Sequence, residues 1–390
     1  MNTLQSAYIP RAAESSLLSL ASGYPVVVVV GPRQSGKTTL TRRLFPDKPY
    51  VSLEDLDERE FATSDPRGFL SRFPDGAVFD EVQRCPDLLS YLQGRVDADG
   101  RMGLFILTGS QQFGLMAGVT QSLAGRAAML CLLPFSNAEL LSAERLPNLN
   151  TLLFHGAYPP IYSRQVDPSV WLGNYVRTYL ERDVRLLLNI RDLSNFSRFL
   201  HLCAGRVGQL LNLSDLAGEC GITHNTAKAW LSVLEACFIV HLLQPYYRNF
   251  SKRHVKTPKL YFHDTGLACW LLGIKTPAQI ALHPMRGALF ESLMVTEWIK
   301  SRRNQSQEPN LYFWRDRSGH EIDLIIDQGD QLLPVEIKSG LTVAADAFGP
   351  LEKWGGIAGS LAGQPSLVYG GIDAYIRRGC RVLPWSAWGR

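Results

Sequence analysis

The stretch "VVVVVGPRQSGKTT", residues 26–39, constrains this chain more than any other. Its valines form a short β-branched run of the kind found in strands buried on both faces, which are usually parallel strands. The run opens into G-x-x-x-x-G-K-[ST], filled by Gly31, Pro32, Arg33, Gln34, Ser35, Gly36, Lys37 and Thr38, with Thr39 next. A helical pattern, "SGKTTLTRRLF", continues from it and stops before Pro46. Strand, glycine-rich loop and helix in this order make a phosphate-binding loop. The glycines let the backbone turn its N–H groups toward phosphate oxygens, and the helix N-terminus adds partial positive charge. Lys37 is expected at the β- and γ-phosphates and the Thr38 hydroxyl on Mg²⁺. The expected cofactors are ATP and Mg²⁺.

Such a site needs a second strand ending in acid, and "GAVFDEVQ" (76–83) supplies one. Asp80 is expected to hold Mg²⁺ and Glu81 to polarise the attacking water. "YVSLED" (50–55) and "LFILTGS" (104–110) read as further strands, and the helical stretches between them imply parallel βαβ units. Ser110, or with less force Thr108, is placed to sense the γ-phosphate; the alternative is that Ser110 caps a helix. Arg126 in "SLAGRAAML" is a candidate for stabilising the transferring phosphate of a neighbouring subunit, or else forms a surface salt bridge.

With 390 residues the chain is long enough for two or three domains, and 46% hydrophobic with 19% charged residues is an ordinary globular mix. A net charge of +4 permits a nucleic-acid partner without demanding one. The seven cysteines show no C-x-x-C pair and read as buried free thiols. No signal-peptide pattern and no membrane-length apolar run is seen, so the expectation is a cytoplasmic protein with no membrane partner. The pattern divides into a P-loop domain (1–140), a mostly helical region (141–285) and a strand-rich domain (286–390). "SVWLGNYVRTYLERDVRLLLN" (169–189) carries apolar residues at helical spacing.

Within the middle region, "LSDLAGECGITHNTAKAWLSVLEACFIV" (213–240) has a helix-turn-helix layout. Gly221 makes the turn, Thr223 caps the second helix, and Leu216, Ala217, Ala227, Trp230, Leu231 and Leu234 face inward. Two strands then flank a basic tip holding Arg248, Lys252, Arg253, Lys256 and Lys259 among Tyr246, Tyr247 and Phe250. This is a winged-helix pattern, with His224, Asn225 and Lys228 free to meet DNA. A second helix poor in Arg and Lys leaves open a packing module with no DNA contact.

Near the end, "HEIDLIIDQGDQLLPVEIKSG" (320–340) reads as a hairpin with Gly329-Asp330 as its turn. That register sets Asp323 opposite Glu336 and Glu321 opposite Lys338, with Ile322, Leu324, Ile326, Leu333, Val335 and Ile337 on the other face. Facing carboxylates with Cβ atoms about 4.5–5.5 Å apart repel unless a cation lies between them or one takes a proton. A hard divalent ion between Asp323 and Glu336 answers that repulsion. Lys338 shares their face, and Glu291 on "ALFESLMVTEW" is available to complete the site. The alternative is a solvated face in which Lys338 pairs with Glu321 and Glu336.

"GPRQSGKTT", "SLEDLDEREFATSDP", "VFDEVQ", "LTGSQQF", "YLERDV", "YFHDTGL", "FESLMVTEW", "EIDLII" and "PVEIKSG" together resemble a prokaryotic ATPase family. That family joins an AAA-type P-loop domain to a C-terminal domain of uncharacterised function, and the likeness runs from about Tyr8 to Trp385. The C-terminal part resembles the PD-(D/E)XK restriction-endonuclease fold. By that resemblance Asp323, Glu336 and Lys338 correspond to its D…E-x-K motif and Glu291 to the acid on its first helix. The expected fold is α/β: a parallel-sheet AAA-type domain, a winged-helix middle and a restriction-endonuclease-like α/β domain. The expected function is an ATPase acting on DNA as a homo-oligomer, with branched or broken DNA among its substrates and metal-dependent cleavage open. A nucleotide-dependent switch with a non-cleaving binding module, in signalling or defence, is the alternative.

Overall fold

The computed structural model describes residues 8–110, 122–180, 193–246 and 256–390. The chain divides into two compact units. The first comprises Met1–Phe135 with Ala236–Phe238 and Arg302–Gln307; the second comprises Ser136–Glu235, Ile239–Ser301 and Glu308–Arg390.

The first unit is built on a five-stranded sheet of β1 (Val26–Val30), β2 (Tyr50–Ser52), β3 (Ala77–Asp80), β4 (Phe105–Gly109) and β5 (Ala127–Cys131), in the order β2-β3-β4-β1-β5. Every pairing is parallel. All five valines of β1 are buried, as a central strand between β4 and β5 requires. The helix Lys37–Leu44 starts after Gly36, whose φ of 97° is one that a residue with a Cβ adopts only under strain. A helix at Glu14–Gly23 and strand β5 are additional to the elements expected from the sequence. Because the strands are parallel, the segments that follow β1, β3 and β4 all leave the same edge of the sheet. That carboxyl edge is where open α/β sheets hold their ligands.

The second unit contains the helices Leu213–Cys220 and His224–Ala236, joined through Gly221 at φ 67°. Thr223 Oγ1 accepts the Thr226 N–H at 3.1 Å, closing the first turn of the second helix. Leu216, Ala217, Ala227, Trp230, Leu231 and Leu234 are buried, while His224, Asn225 and Lys228 are exposed. Strands β6 (Val240–Leu243) and β7 (Lys259–Phe262) pair antiparallel. The tip residues Tyr247, Arg248, Phe250, Lys252 and Arg253 lie outside the described residues, and Lys256 is exposed. Two members of the expected basic tip are placed otherwise: Tyr246 is buried in a hydrophobic core, and Lys259 lies inside β7, 3% exposed. The helix expected over 169–189 runs as Pro168–Tyr175 and continues as a π-turn at Val176–Leu180; the rest lies outside the described residues.

A six-stranded mixed sheet completes this unit: β8 (Leu311–Arg315), β9 (Glu321–Asp327), β10 (Leu332–Lys338), β11 (Ser366–Tyr369), β12 (Tyr375–Arg377) and β13 (Cys380–Pro384). Its order is β12-β13-β11-β10-β9-β8. The hairpin β9–β10 has the expected register, from Leu332 opposite Asp327 to Val335 opposite Leu324. Gly329 takes the positive φ, 89°, that the first position of such a turn needs. Toward the turn the charged face is buried, because Ile325, Leu332 and Pro334 share it; Glu321, Asp323 and Lys338 are half-buried. Trp354 and Leu351, from the helix Gly349–Ala358, belong to the same core as Ile325 and Leu332. The long helix Arg286–Asn304 carries Glu291. All seven cysteines are free and six are buried; Cys131 is half-buried. Among the described residues no helix is long and apolar enough to cross a membrane.

Candidate functional site

Two clusters of carboxylates stand out, one in each unit. In the first unit, the loop Gly31–Gly36 lies at the carboxyl end of β1, and its close packing excludes any side chain at Gly31. A Cβ there would meet the Leu132 carbonyl oxygen at 2.1 Å. Arg11 braces the loop from beneath, donating to the Ser35 carbonyl at 2.7 Å and the Leu133 carbonyl at 2.6 Å while lying over the Phe135 ring. Lys37 is buried and its ammonium donates to the carbonyls of Gly31 at 3.0 Å and Pro32 at 2.9 Å. Burial pushes its pKa below the ordinary lysine value, against the pull of Glu81 and Asp80.

Asp80, at the end of β3, accepts from the Thr38 hydroxyl at 2.8 Å and the Tyr50 hydroxyl at 2.5 Å, and its other oxygen accepts from Thr108. Glu81 follows in the left-handed region, φ 56°, a conformation that costs energy for a residue with a Cβ and tends to collect at functional sites. Its carboxylate accepts from Ser110 at 2.9 Å and from the Gln83 amide, and its backbone N–H donates to Thr108 at 3.3 Å. Sequence reasoning thus brought Thr38, Asp80, Glu81 and Ser110 to one place. Thr108 lies against Asp80, where its hydroxyl positions a carboxylate. Arg126 contacts Asp97, with Nη2 at 2.8 Å from a carboxylate oxygen, and the Ala124 carbonyl. Thr39 is exposed on the helix beside the loop. Arg11, Tyr50 and Gln83 were not foreseen. Nothing local marks them; only the sheet order, with β2 next to β3, brings the Tyr50 hydroxyl to Asp80.

The loop residues suit a nucleotide polyphosphate with Mg²⁺. The Ser35 hydroxyl is buried without a hydrogen-bond partner, and Thr38 and Asp80 offer adjoining oxygens of the type a hard cation takes.

In the second unit, Asp323, Glu336 and Lys338 converge across β9 and β10. Asp323 Oδ2 accepts the Ile337 N–H at 2.8 Å, and Glu336 Oε1 accepts from Lys338 at 2.5 Å. Glu336 is 4% exposed, and its second oxygen has no hydrogen-bond partner. Glu291 arrives from the long helix and accepts from Tyr261 Oη at 2.5 Å and Lys259 Nζ at 3.0 Å. Lys259 also pairs with Glu321, which Arg315 contacts at 3.0 Å. Lys338 therefore pairs with Glu336, while Glu321 is taken by Lys259 and Arg315. Asp323 carries the strain of this arrangement: burial, then the neighbouring charges of Glu336 and Glu291, hold its pKa well above the usual carboxylate range. Burial likewise raises Glu336, although Lys338 opposes it. Lys338 is raised because the charges of Asp323 and Glu336 outweigh its own burial. Lys259 and Tyr261, on β7, were missed as members of this cluster. A lysine in a basic stretch reads as surface until the fold shows that β7 passes beside the long helix.

Comparison with known proteins agrees with the N-terminal part of this picture. Residues 23–141 match a family described as an AAA domain. Residues 146–278 and 286–388 match two domains of unknown function, DUF8612 and DUF4143. Among solved structures, the Walker-type ATPase PABY2304 of Pyrococcus abyssi is 16% identical, covering 68% of this chain and 97% of its own, with a TM-score of 0.44. The Thermotoga maritima RuvB Holliday junction branch migration motor is 18% identical, covering 60% and 90%, with a TM-score of 0.31. These superpositions are too loose to carry any residue's role across. Two curated relatives are closer in sequence: the uncharacterized proteins Rv2008c of Mycobacterium tuberculosis and Mb2031c of Mycobacterium bovis. Each is 31% identical over 333 residues, covering 84% of this chain and 73% of the relative. The chain belongs to the same family as these mycobacterial proteins, and its N-terminal part is an AAA-type P-loop ATPase domain.

Proposed function

We propose that this protein hydrolyses ATP at the P-loop with Mg²⁺, and that its C-terminal sheet is a PD-(D/E)XK-type module through which it acts on DNA. The observation that carries the ATPase reading is the meeting of Thr38 and Asp80 at 2.8 Å, with Glu81 beside them on the same sheet edge. In this reading the loop from Gly31 to Thr39 holds the phosphates, and Lys37 leaves its two carbonyl partners for phosphate oxygens. Thr38 and Asp80 would hold Mg²⁺, which would supply charge neutralisation to the phosphoryl group. Glu81 orients water once Ser110 and Gln83 release it. ATP turnover that needs Mg²⁺ and stops in Glu81→Gln supports this; wild-type turnover in that variant defeats the assignment of Glu81.

Support for the DNA reading comes from Asp323, Glu336 and Lys338 on adjoining strands with Glu291 nearby, and from the exposed His224, Asn225 and Lys228 on the second helix of a winged-helix pattern. The same reading takes 1–140, 141–285 and 286–390 as working parts of a cytoplasmic homo-oligomer. The decisive experiment is cleavage of single-stranded, duplex and branched DNA with Mg²⁺ or Mn²⁺, with and without ATP, using Asp323→Ala as control. Cutting that disappears in the variant supports an ATP-gated nuclease. Salt-sensitive binding without cutting supports a DNA-binding module instead.

One observation favours the second reading, a nucleotide-dependent switch whose C-terminal module does not cut. The Lys259 ammonium already sits on Glu291 and Glu321, so part of the acid of the centre is neutralised from within.

A further inference from the structure

We propose that Lys259 is a built-in lock on the acidic centre, an ammonium that must give way before a divalent ion can settle among Asp323, Glu336 and Glu291. The inference rests on the reading of Asp323, Glu336 and Lys338 as a D…E-x-K centre and adds a regulation to it.

The charge balance is the first ground. Glu291, Glu321, Asp323 and Glu336 meet three cationic side chains, Lys259, Lys338 and Arg315. Of these four carboxylates Asp323 alone forms no ion pair among the described residues; its Oδ2 accepts the Ile337 N–H. The second ground is Glu336. It is almost fully buried, and one of its oxygens has no hydrogen-bond partner, a costly state that a cation would relieve. Asp323, Glu336 and Glu321 line one cleft of about 390 Å³ with His320, Lys353 and Trp354. Asp346 lines the same cleft, the second Glu336 oxygen is unpartnered there, and Lys259 is paired with the neighbouring Glu291.

The third ground is how Lys259 is held. Its backbone cannot drift: Lys259 pairs with Leu243 in β6 and bridges to Leu210, while Leu260 exchanges hydrogen bonds with Gly208 at 2.8 Å and Gln209 at 3.1 Å. Only the side chain is free to withdraw. Its ammonium leans on carboxylates from two separate elements, the long helix and β9, and lies over the Phe313 ring. An ammonium on Glu291 competes with a divalent ion for that carboxylate.

The test is Mn²⁺ binding to the full chain without nucleotide, by calorimetry and by the spin signal of free Mn²⁺. Binding that persists in Asp323→Asn is subtracted as belonging elsewhere. The lock predicts weak Asp323-dependent binding in the wild type and in Lys259→Arg, tightened about tenfold or more in Lys259→Met. Glu321→Gln separates a lock from simple charge. It removes a negative charge, which by itself weakens Mn²⁺ binding, but it also takes away one of the two carboxylates that hold Lys259. The lock therefore predicts tighter binding in Glu321→Gln, and this variant decides the matter alone if Lys259→Met does not fold. Weaker binding in Glu321→Gln overturns the lock. Wild-type binding as tight as that of Lys259→Met, and lost in Asp323→Asn, overturns the lock while leaving the metal centre standing. Absence of Asp323-dependent binding in every variant overturns both.

Discussion

Asp80 and Glu81 are held by hydroxyls and an amide; Glu291, Glu321 and Glu336 are each held by an ammonium or guanidinium group, with the Tyr261 hydroxyl also on Glu291. Both arrangements hold carboxylates, although one oxygen of Glu336 is left without a partner, and they leave different charges behind. Hydroxyl donors orient a carboxylate and remove none of its charge, so the P-loop cluster keeps its attraction for a hard cation. The one lysine there, Lys37, bonds two carbonyl oxygens and neither carboxylate. In the C-terminal cluster the cations are part of the protein, and most of the charge is balanced before any ligand arrives. Carboxylates in a site therefore do not by themselves announce an ion; the identity of their donors does.

The largest effect expected from this contrast is at Lys37. Lys37→Ala removes the charge that the loop holds in reserve for phosphate. Nucleotide binding, followed with a fluorescent ATP analogue, should be lost, and turnover should fall by at least the 10²–10³-fold typical of a deleted phosphate-stabilising donor. Retained turnover would mean that the carbonyl-bound lysine is structural and that the contrast between the clusters fails at its strongest point. Glu81→Gln comes next. The amide is nearly isosteric and still reaches Ser110, so binding should persist while turnover drops about 10²–10⁴-fold, the usual worth of a positioned general base.

How far the sequence showed these clusters depends on how far apart their members lie along the chain. The P-loop was legible because glycines, lysine and threonine are packed into nine residues between a strand and a helix. The hairpin was legible because a two-residue turn fixes the register that pairs Leu332 with Asp327 through Val335 with Leu324, and Asp323 and Glu336 come next along the two strands. Tyr50 and Thr108 reach Asp80 only through the strand order β2-β3-β4, which no local pattern specifies. Lys259 was misread for the same reason. The stretch before it is basic and polar, but its neighbours in space are Glu291, 32 residues on, and Glu321 on β9. Toward its turn, the face of the hairpin that looked wet is buried because the helix Gly349–Ala358 contributes to the core beneath it, a packing partner that the hairpin's own pattern does not reveal.

A moderate effect separates the clusters by pH. The folded pKa of Asp323 is raised, so the folded state binds its proton more tightly than the unfolded chain does. The stability tied to that proton is complete below the ordinary aspartate range and is lost as the pH rises through the raised value. Each tenfold gain in proton affinity is worth about 1.4 kcal/mol. Asp323→Asn keeps an oxygen for the Ile337 N–H and carries no charge, so it mimics the protonated state at every pH. Its melting temperature should exceed that of the wild type, with a gap that widens from mildly acidic toward alkaline pH. Parallel curves would mean that Asp323 is already compensated.

The smallest effect is expected at Arg126. In this chain its guanidinium forms a two-point pair with Asp97 on the surface, and an exposed pair of that kind contributes little to stability. Arg126→Ala should therefore melt close to the wild type. Its turnover carries the information. If the Asp97 pair is all that Arg126 does, ATP hydrolysis is unchanged at every protein concentration. If Arg126 leaves Asp97 to reach phosphate bound by a neighbouring copy, wild-type turnover per chain rises with protein concentration and Arg126→Ala loses that rise. Asp97→Ala discriminates further, because it frees Arg126 without removing it. Turnover that falls in Arg126→Ala but holds or rises in Asp97→Ala would make the surface pair a resting place, and would add a cation from a neighbouring copy to the P-loop cluster.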